Sequence, residues 1–243
     1  MISTKKYVVY TAICGDEAHS DDLHDPKEVF PDTDYIAFVD RKHKTSDVWR
    51  QVRSTPFSID TKYFNRRNAK IYKAMPHLFM DGWHMSIWHD PTHEVVVNPE
   101  EIYKNIITPE KDIALFRHES RDCVYSEAAA VLNWKMDHEK VISDQMDFYR
   151  ANNYPEKNGL YECPVIIRNS TLKTETLGMR WWEIISKYSS RDQLSMPFVL
   201  WSLNIDPVIL EGTAGKEYKR NNKIVPFKRN HNWEPNIKHL NLD

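Results

Sequence analysis

The chain has 243 residues, of which 41% are hydrophobic and 12% aromatic, and this is enough to build the core of one large domain. A net charge of -2 and an isoelectric point of about 6.6 give no global basic field, which argues against nucleic acid as a partner. Three well-spaced cysteines, with no signal peptide and no apolar run of about 18 residues, predict a soluble, cytoplasmic protein without disulfides or a membrane span.

Two apolar segments near the N-terminus predict buried strands of a parallel sheet. Residues 7–14 are Tyr-Val-Val-Tyr-Thr-Ala-Ile-Cys, and residues 34–40 are Asp-Tyr-Ile-Ala-Phe-Val-Asp. The acidic, aperiodic segment between them, residues 16–31, predicts a surface loop more strongly than a metal site. Because ligands of open α/β sheets bind at the carboxyl ends of the strands, both segments deliver polar groups to a possible binding edge.

A basic helix follows in the sequence. Residues 63–80 predict a helix that ends or kinks at Pro76 and carries Arg66, Lys70 and Lys73 on one face. This cationic face suits a diphosphate, although a solvated basic surface explains it equally well. The glycine-rich phosphate motifs GxGxxG and GxxxxGKS/T are absent, so a nucleotide would have to be held by other groups.

The stretch 85–97, Met-Ser-Ile-Trp-His-Asp-Pro-Thr-His-Glu-Val-Val-Val, carries one acid out of an apolar strand into a turn. The pattern predicts a buried strand, a break at Asp90-Pro91 and a second short strand. An aspartate in this position can bind a metal beneath a diphosphate, but an Asp-Pro turn is also ordinary at a strand end.

The central part of the chain predicts a helix over residues 99–107, a strand over residues 112–116 and a long amphipathic helix over residues 124–152 that breaks near Asp137. The polar loop after the strand contains His118. Its imidazole is either a ligand contact or a structural group, and the sequence leaves both open.

Two further acids are candidates for the site. Glu162 precedes an apolar strand that ends at Arg168, and a carboxylate among hydrophobic residues is costly unless it is paired or functional. Asp192 lies at the start of the helix that follows a helix over residues 176–188. It either stabilises the helix N-terminus or serves as a general base. After Pro207 the chain becomes basic and loses its periodicity.

Seven separated segments occur in the order found in one protein family. They are Tyr-Thr-Ala-Ile-Cys-Gly (10–15), Asp-Tyr-Ile-Ala-Phe-Val-Asp (34–40), Asn-Arg-Arg-Asn-Ala-Lys (65–70), Ser-Ile-Trp-His-Asp (86–90), Arg-Asp-Cys-Val-Tyr-Ser-Glu-Ala (121–128), Gly-Leu-Tyr-Glu (159–162) and Ser-Arg-Asp-Gln-Leu-Ser (190–195). In these segments the chain resembles the glycosyltransferase-like proteins catalogued as domain of unknown function 616, which occur in plants, bacteria and large viruses.

The resemblance implies a single GT-A-like α/β domain, with a mostly parallel central sheet flanked by helices, that moves a sugar from a nucleoside diphosphate sugar to a hydroxyl of a glycan or other acceptor. The implied regions are a nucleotide-sugar-binding half (1–120), an acceptor and catalytic half (121–206) and a C-terminal tail (207–243). The implied contacts of the nucleotide sugar are Thr11, Ala12, Cys14, Gly15, Asp40, Arg66, Lys70, Trp88 and His118.

The resemblance also implies roles for the acids. Asp90 would bind Mn²⁺ or Mg²⁺, Glu162 would contact the acceptor or the sugar, and Asp192 would activate the acceptor as a base in an inverting transfer.

The sequence departs from the family pattern in two ways: His89 and Pro91 flank Asp90, where relatives tend to have an aliphatic residue before it and Gly or Ala after it, and no second acid completes an Asp-x-Asp motif. A tail histidine, His231 or His239, is therefore the expected second metal ligand.

Two other functions remain open at this point. A sugar nucleotidyltransferase would also use an α/β sheet and acids, but it usually has the glycine-rich N-terminal loop that this chain lacks. A non-catalytic carbohydrate-binding module would account for the 8 tryptophans and 12 tyrosines, although much of this aromatic content has the spacing of a helix core.

Overall fold

The computed structural model describes residues 5–15, 21–55, 64–214 and 227–229. The strands are β1 (Tyr7–Ile13), β2 (Thr33–Val39), β3 (Arg50–Arg53), β4 (Met85–His89), β5 (His93–Val95), β6 (Ile113–Arg117), β7 (Tyr161–Asn169), β8 (Val208–Leu210) and β9 (Phe227–Arg229). The helices are α1 (Phe64–Ala74), α2 (Pro99–Asn105), α3 (Val124–Asn133), α4 (Glu139–Ala151), α5 (Leu172–Lys187) and α6 (Asp192–Ser202), with a turn of 3-10 helix at Pro76–Leu78.

Seven strands form one sheet in the order β3-β2-β1-β4-β7-β6-β8. They run parallel to one another except for β7, which is antiparallel to its neighbours β4 and β6. Helices α1 and α3 to α6 pack on one face of the sheet, and α2 with the connections 21–32 and 40–49 packs on the other. Because both faces are covered, β1 is buried along its whole length. The predicted α/β fold with a mostly parallel sheet flanked by helices is confirmed.

Local signals in the sequence set the ends of the helices. Helix α1 ends at Ala74 because Pro76 lacks the N–H that would continue the helix. The helix predicted over residues 124–152 is broken into α3 and α4, and the break lies near Asp137 as expected. Helix α5 begins earlier than predicted because Thr171 forms a capping box with Thr174.

Three short strands, β3, β8 and β9, are not predicted from the sequence. Strands β3 and β8 form the two edges of the large sheet, and β9 pairs with β5 in a separate two-stranded sheet. Strands of three or four residues show too few alternations for their period to be recognised. Because β8 and β9 belong to the segment 207–243, part of the predicted tail is built into the fold.

Strand β7 is irregular beside the end of β4. Ala114 of β6 pairs with Ile167, whereas Phe116, only two residues later, pairs with Glu162, so β7 contains a bulge. The backbone N–H of Asp90 donates to the Pro164 carbonyl within this bulge, at 2.7 Å. The edge of the sheet at Asp90 therefore departs from regular pairing.

Within the described ranges, no helix has the length and apolar character needed to cross a bilayer. The cytoplasmic location and the division of the chain after residues 120 and 206 stay predictions.

Candidate active site

Four charged side chains meet at the carboxyl end of β4, and we call them the lysine–aspartate cluster: Lys70, Lys73, Asp90 and Asp192. The Lys73 ammonium lies 3.0 Å from Oδ1 of Asp90 and 2.7 Å from Oδ2 of Asp192. The Lys70 ammonium donates to the same Oδ2 of Asp192. The cluster thus contains two cations and two anions, and Lys73 joins the two carboxylates.

Three elements bring the cluster together. Helix α1 supplies both lysines from one face, since residues three apart on a helix are neighbours. Asp90 follows the last residue of β4, and Asp192 is the first residue of α6, where a negative charge is favoured by the helix dipole. The cationic helix and the acid after the strand, both recognised in the sequence, are therefore in direct contact.

Neighbouring charges favour the ionised forms of Asp90, Asp192 and Lys73, whereas burial lowers the pKa of Lys70. Burial alone would raise the pKa of Asp90, but the ammonium groups of Lys73 and Lys70 outweigh it and lower that pKa to about 2. Burial opposes the charge of Asp192 as well, and the same two lysines lower its pKa. For Lys73, burial is outweighed by the two carboxylates, which raise its pKa.

The four side chains differ in their access to solvent. The side chains of Asp90 and Lys70 are 37% and 17% exposed, whereas those of Lys73 and Asp192 are 0% and 7% exposed. Oδ1 of Asp192 is buried and accepts no hydrogen bond from any residue that the structure describes. A ligand would therefore reach Asp90 and Lys70 first, with Lys73 and Asp192 behind them.

Trp88 holds Asp90 in place. Its side chain is buried, and its indole N–H donates to Oδ1 of Asp90 at 2.9 Å. The Lys73 ammonium lies 5.2 Å from the centre of the indole ring, within the range of a cation–π contact. Trp88 was predicted to contact the nucleotide sugar, and the contacts described here give it a role beneath the carboxylate.

The loop after β1 is closed by Asp40. The backbone N–H of Gly15 donates to Oδ2 of Asp40 at 2.7 Å, and Gly15 has a φ of 131°, a conformation that favours glycine. Oδ1 of Asp40 is buried without a partner among the described residues. Asp40 and Gly15 thus lie together at the carboxyl ends of β1 and β2, as the sequence predicted.

The other predicted residues of β1 lie below this edge. Thr11 and Ala12 are buried within the strand, so their side chains face the core. Cys14 is in contact with Ser54, and burial raises the pKa of its thiol to about 11, which makes it a poor nucleophile. Contact of these three residues with a nucleotide stays a prediction.

Arg66 and His118 make contacts of their own outside the cluster. Arg66 is exposed and donates to the Met136 carbonyl at 3.2 Å, at the connection between α3 and α4. Nδ1 of His118 accepts hydrogen bonds from the backbone N–H groups of Ser120 and Arg121, at 3.2 and 3.1 Å. Burial lowers the pKa of His118, and its contacts favour the structural interpretation that the sequence had left open.

Glu162 lies at the same edge of the sheet, at the N-terminal end of the antiparallel strand β7. Its Oε2 accepts the backbone N–H of Ala214 at 3.1 Å, and burial raises the pKa of its carboxyl group. It forms no ion pair with a described residue. Glu162 is thus the carboxylate at this edge whose proton affinity is increased, in contrast to Asp90 and Asp192.

The donor set fits a divalent cation only in part. The described ranges contain no group of three or more His, Cys, Asp or Glu side chains that could hold a metal ion. Oδ1 of Asp90 is occupied by Lys73 and Trp88, which leaves Oδ2 as a single carboxylate ligand held in place by its neighbours. One carboxylate is enough for a cation whose other ligands are phosphates and water. The predicted second ligand, His231, and its alternative His239 lie outside the described residues.

Lys73 lies on the cationic face predicted from the sequence but is not among the predicted site residues. Its position, three residues after Lys70 on the same helix face, was the available signal. Arg168 was seen only as the end of a strand, and no local pattern indicates its contact with the end of α1.

Comparison with known proteins agrees with the resemblance seen in the sequence. The family model of the TOD1/MUCI70 glycosyltransferase-like domain matches residues 2–213 of the chain. The chain belongs to the TOD1/MUCI70 family. One member, the probable hexosyltransferase MUCI70 of Arabidopsis thaliana, is 27% identical over 168 residues. The matched region is 65% of this chain and 28% of the plant protein, so the chain spans less than a third of that relative.

Two solved structures of glycosyltransferases are also similar to this TOD1/MUCI70 domain. Mouse xyloside xylosyltransferase 1 has a TM-score of 0.44 at 11% identity and is matched over 85% of both chains. The bifunctional glycosyltransferase WbbM has a TM-score of 0.48 at 11% identity, over 86% of this chain and 39% of its own.

Proposed function

We propose that this protein transfers a hexosyl or pentosyl group from a nucleoside diphosphate sugar to a hydroxyl group of a glycan. The observation that carries the proposal is the lysine–aspartate cluster, which presents one partly exposed carboxylate and one partly exposed ammonium at the carboxyl edge of a mostly parallel sheet. Membership of a glycosyltransferase-like family and the name of the plant relative, a probable hexosyltransferase, support the same reaction.

In this proposal the donor lies across the ends of β1, β2 and β4. Asp40 and the Gly15 loop contact the base and ribose, because Oδ1 of Asp40 is an acceptor without a described partner. Lys70 faces the diphosphate, and Asp90 faces either the sugar or a cation bound to the phosphates. When bound, Mn²⁺ or Mg²⁺ would neutralise the leaving diphosphate, with Asp90 as its protein ligand.

Two carboxylates are candidates for the base that activates the acceptor. Asp192 is the base predicted from the sequence, but its side chain is buried and both lysines hold it as an anion of low proton affinity. Glu162 is better suited, because it has no ion-pair partner among the described residues and burial raises its pKa, which makes it a stronger base. One base that acts directly on the acceptor gives inversion at the anomeric carbon, and we extend the proposal to that outcome.

The aromatic content supports an enzyme over a carbohydrate-binding module. Trp49, Trp83, Trp88 and Trp181 are all buried, whereas Trp134 and Trp201 are exposed among the residues that the structure describes. A binding module needs aromatic faces open to solvent, and here most of the described tryptophan area is used in packing.

A donor hydrolysis screen tests the proposal. We expect the wild-type protein to release nucleoside diphosphate slowly from at least one nucleotide sugar in the presence of Mn²⁺ or Mg²⁺. Asp90→Asn should abolish this release, whereas Asp144→Asn, a change on the exposed face of α4, should leave it unchanged. Release that is equal in the wild type and in Asp90→Asn would contradict the proposed site.

A further inference from the structure

Besides Lys73, a second buried cation contacts the C-terminal end of α1. Arg168 of β7 is 1% exposed, and its guanidinium donates to the carbonyl of Ala74 at 3.1 Å, to the carbonyl of Lys73 and to the hydroxyl of Tyr10. The Tyr10 hydroxyl also donates to the Lys73 carbonyl, at 3.4 Å. Arg168 forms no ion pair with a carboxylate of the described residues, so its charge is satisfied by oxygen atoms at the end of a helix.

The contacts of Arg168 have a clear physical origin. The last carbonyl groups of a helix have no partner within the helix, and Pro76 prevents a further turn that would satisfy them. These carbonyls carry the negative end of the helix dipole, which favours a cation. A planar guanidinium with several N–H groups can bind two adjacent carbonyls at once, which an ammonium cannot do with the same geometry.

A glycine on the neighbouring helix fixes the same carbonyl from another direction. Gly178 of α5 packs so closely on the end of α1 that a Cβ atom at this position would collide with the Ala74 carbonyl oxygen. The end of α1 therefore lies between Arg168 and α5, in direct contact with both. Lys73 belongs to this last turn, and Lys70 lies one turn before it.

We propose that Arg168 is a positioning residue that fixes the last turn of α1, so that the ammonium groups of Lys73 and Lys70 reach Asp90 and Asp192. The guanidinium holds the backbone of Lys73, and the side chain of Lys73 holds both carboxylates. The expected loss of donor affinity without Arg168 rests on the proposed function. The expected exposure of the Lys73 ammonium without Arg168 does not.

Amine labelling of the folded protein, followed by peptide mass spectrometry, tests the position of Lys73 without requiring any activity. In the wild type, Lys73 should label far more slowly than Lys140, whose side chain is 84% exposed. Arg168→Met should increase the labelling rate of Lys73 at least about 10-fold at an unchanged rate for Lys140, and Arg168→Lys should lie between. Gly178→Ala, which displaces the same carbonyl without removing a charge, should also increase it.

A merely structural role predicts a different result. Arg168→Met would then lower the melting temperature, while Lys73 in the folded protein would keep its wild-type labelling rate, and that outcome would overturn the inference. Arg180→Met, which removes a partly exposed arginine of α5, is the matched control and should change neither rate. If Arg168→Met does not fold, the comparison of Gly178→Ala and Arg168→Lys with the wild type decides in the same way.

Calorimetry with inorganic pyrophosphate tests whether Arg168 also affects the affinity for the diphosphate part of the donor. We expect the wild type to bind pyrophosphate and Arg168→Met to bind it at least about 10-fold more weakly, with Arg180→Met unchanged. Failure of the wild type to bind pyrophosphate or any nucleoside diphosphate would count against the proposed function, and the labelling result would still decide the role of Arg168.

Discussion

Two sets of acidic groups lie at the same edge of the sheet, and their proton affinities are shifted in opposite directions. In the lysine–aspartate cluster, two ammonium groups hold Asp90 and Asp192 as anions and lower both pKa values. At the N-terminal end of β7, Glu162 has no ion-pair partner among the described residues, and burial, reinforced by the nearby carboxylates of Glu119 and Glu127, raises its pKa. The first set is therefore suited to fixed charges that bind an anionic donor, and the second to a proton that is exchanged.

Among the changes that test this contrast, Lys73→Met should have the largest effect, and it should act on stability. Lys73 is shared by both carboxylates, and its side chain is fully buried. Removal of one partner from a buried ion pair costs about 3 to 5 kcal/mol, so the free energy of unfolding in urea should fall by about 3 kcal/mol. Lys140→Met, which removes an exposed pair with Asp144, should cost less than about 0.5 kcal/mol. A Lys73→Met protein as stable as the wild type would show that the cluster is not held by charge.

The next largest effect separates the two candidate bases. Glu162→Gln should lower the rate of sugar transfer about 100-fold and remove the acidic limb of the pH–rate profile, because the residue that accepts the proton is lost. Asp192→Asn should mainly weaken donor binding, since Asp192 holds Lys70 and Lys73. The opposite pattern, with the limb lost only in Asp192→Asn, would return the role of base to Asp192 as the sequence analysis predicted.

A smaller effect concerns stability as a function of pH. The pKa of Asp90 is lowered to about 2, so its stabilising contribution is present above the ordinary carboxyl range and is lost as the pH falls towards 2. The pKa of Glu162 is raised, so its contribution is present at low pH and is lost as the pH rises through the folded-state pKa. We therefore measure urea midpoints between pH 3 and pH 8. Relative to the wild type, the midpoint of Asp90→Asn should fall less as the pH is lowered, and that of Glu162→Gln should fall less as the pH is raised. If the urea midpoints of the two variants changed with pH in the same way, the opposite pKa shifts of Asp90 and Glu162 would be contradicted.

The smallest effect is expected at Arg66, which belongs to the cationic face of α1 but contacts the Met136 carbonyl. Arg66→Met should change the dissociation constant of a nucleoside diphosphate less than about threefold, because an exposed arginine outside the cluster contributes little. Isothermal titration alongside the wild type measures this difference. A loss of 10-fold or more would extend the donor site to the first turn of α1.

Much of the framework of the fold could be predicted from the sequence. The apolar runs of β1 and β2 and the acid that follows β4 are local patterns, so the parallel sheet and the position of Asp90 at its edge were accessible. The spacing of Lys70 and Lys73 likewise follows from the period of a helix. Residue pattern alone could thus propose which side chains face the edge.

The contacts within the site could not be predicted, because they join distant parts of the chain. Lys70 and Asp192 are 122 residues apart, and Arg168 reaches the end of α1 across 95 residues. The bulge in β7 changes which side chains face the edge, and it leaves no signal in the alternation of the strand. The sequence at Asp192 fits two explanations, a helix start and a base, and its two ammonium partners, which bear on that choice, lie far away in the chain.

The most direct test of the account is a calorimetric titration of the wild type and of Lys70→Met with a panel of nucleoside diphosphates, with and without Mn²⁺. Lys70 is the accessible cation of the cluster, so the account predicts that the wild type binds at least one nucleoside diphosphate and that Lys70→Met binds it at least about 10-fold more weakly. Equal affinity in the two proteins, or no binding of any nucleoside diphosphate by the wild type, would contradict the assignment of the lysine–aspartate cluster as the donor site.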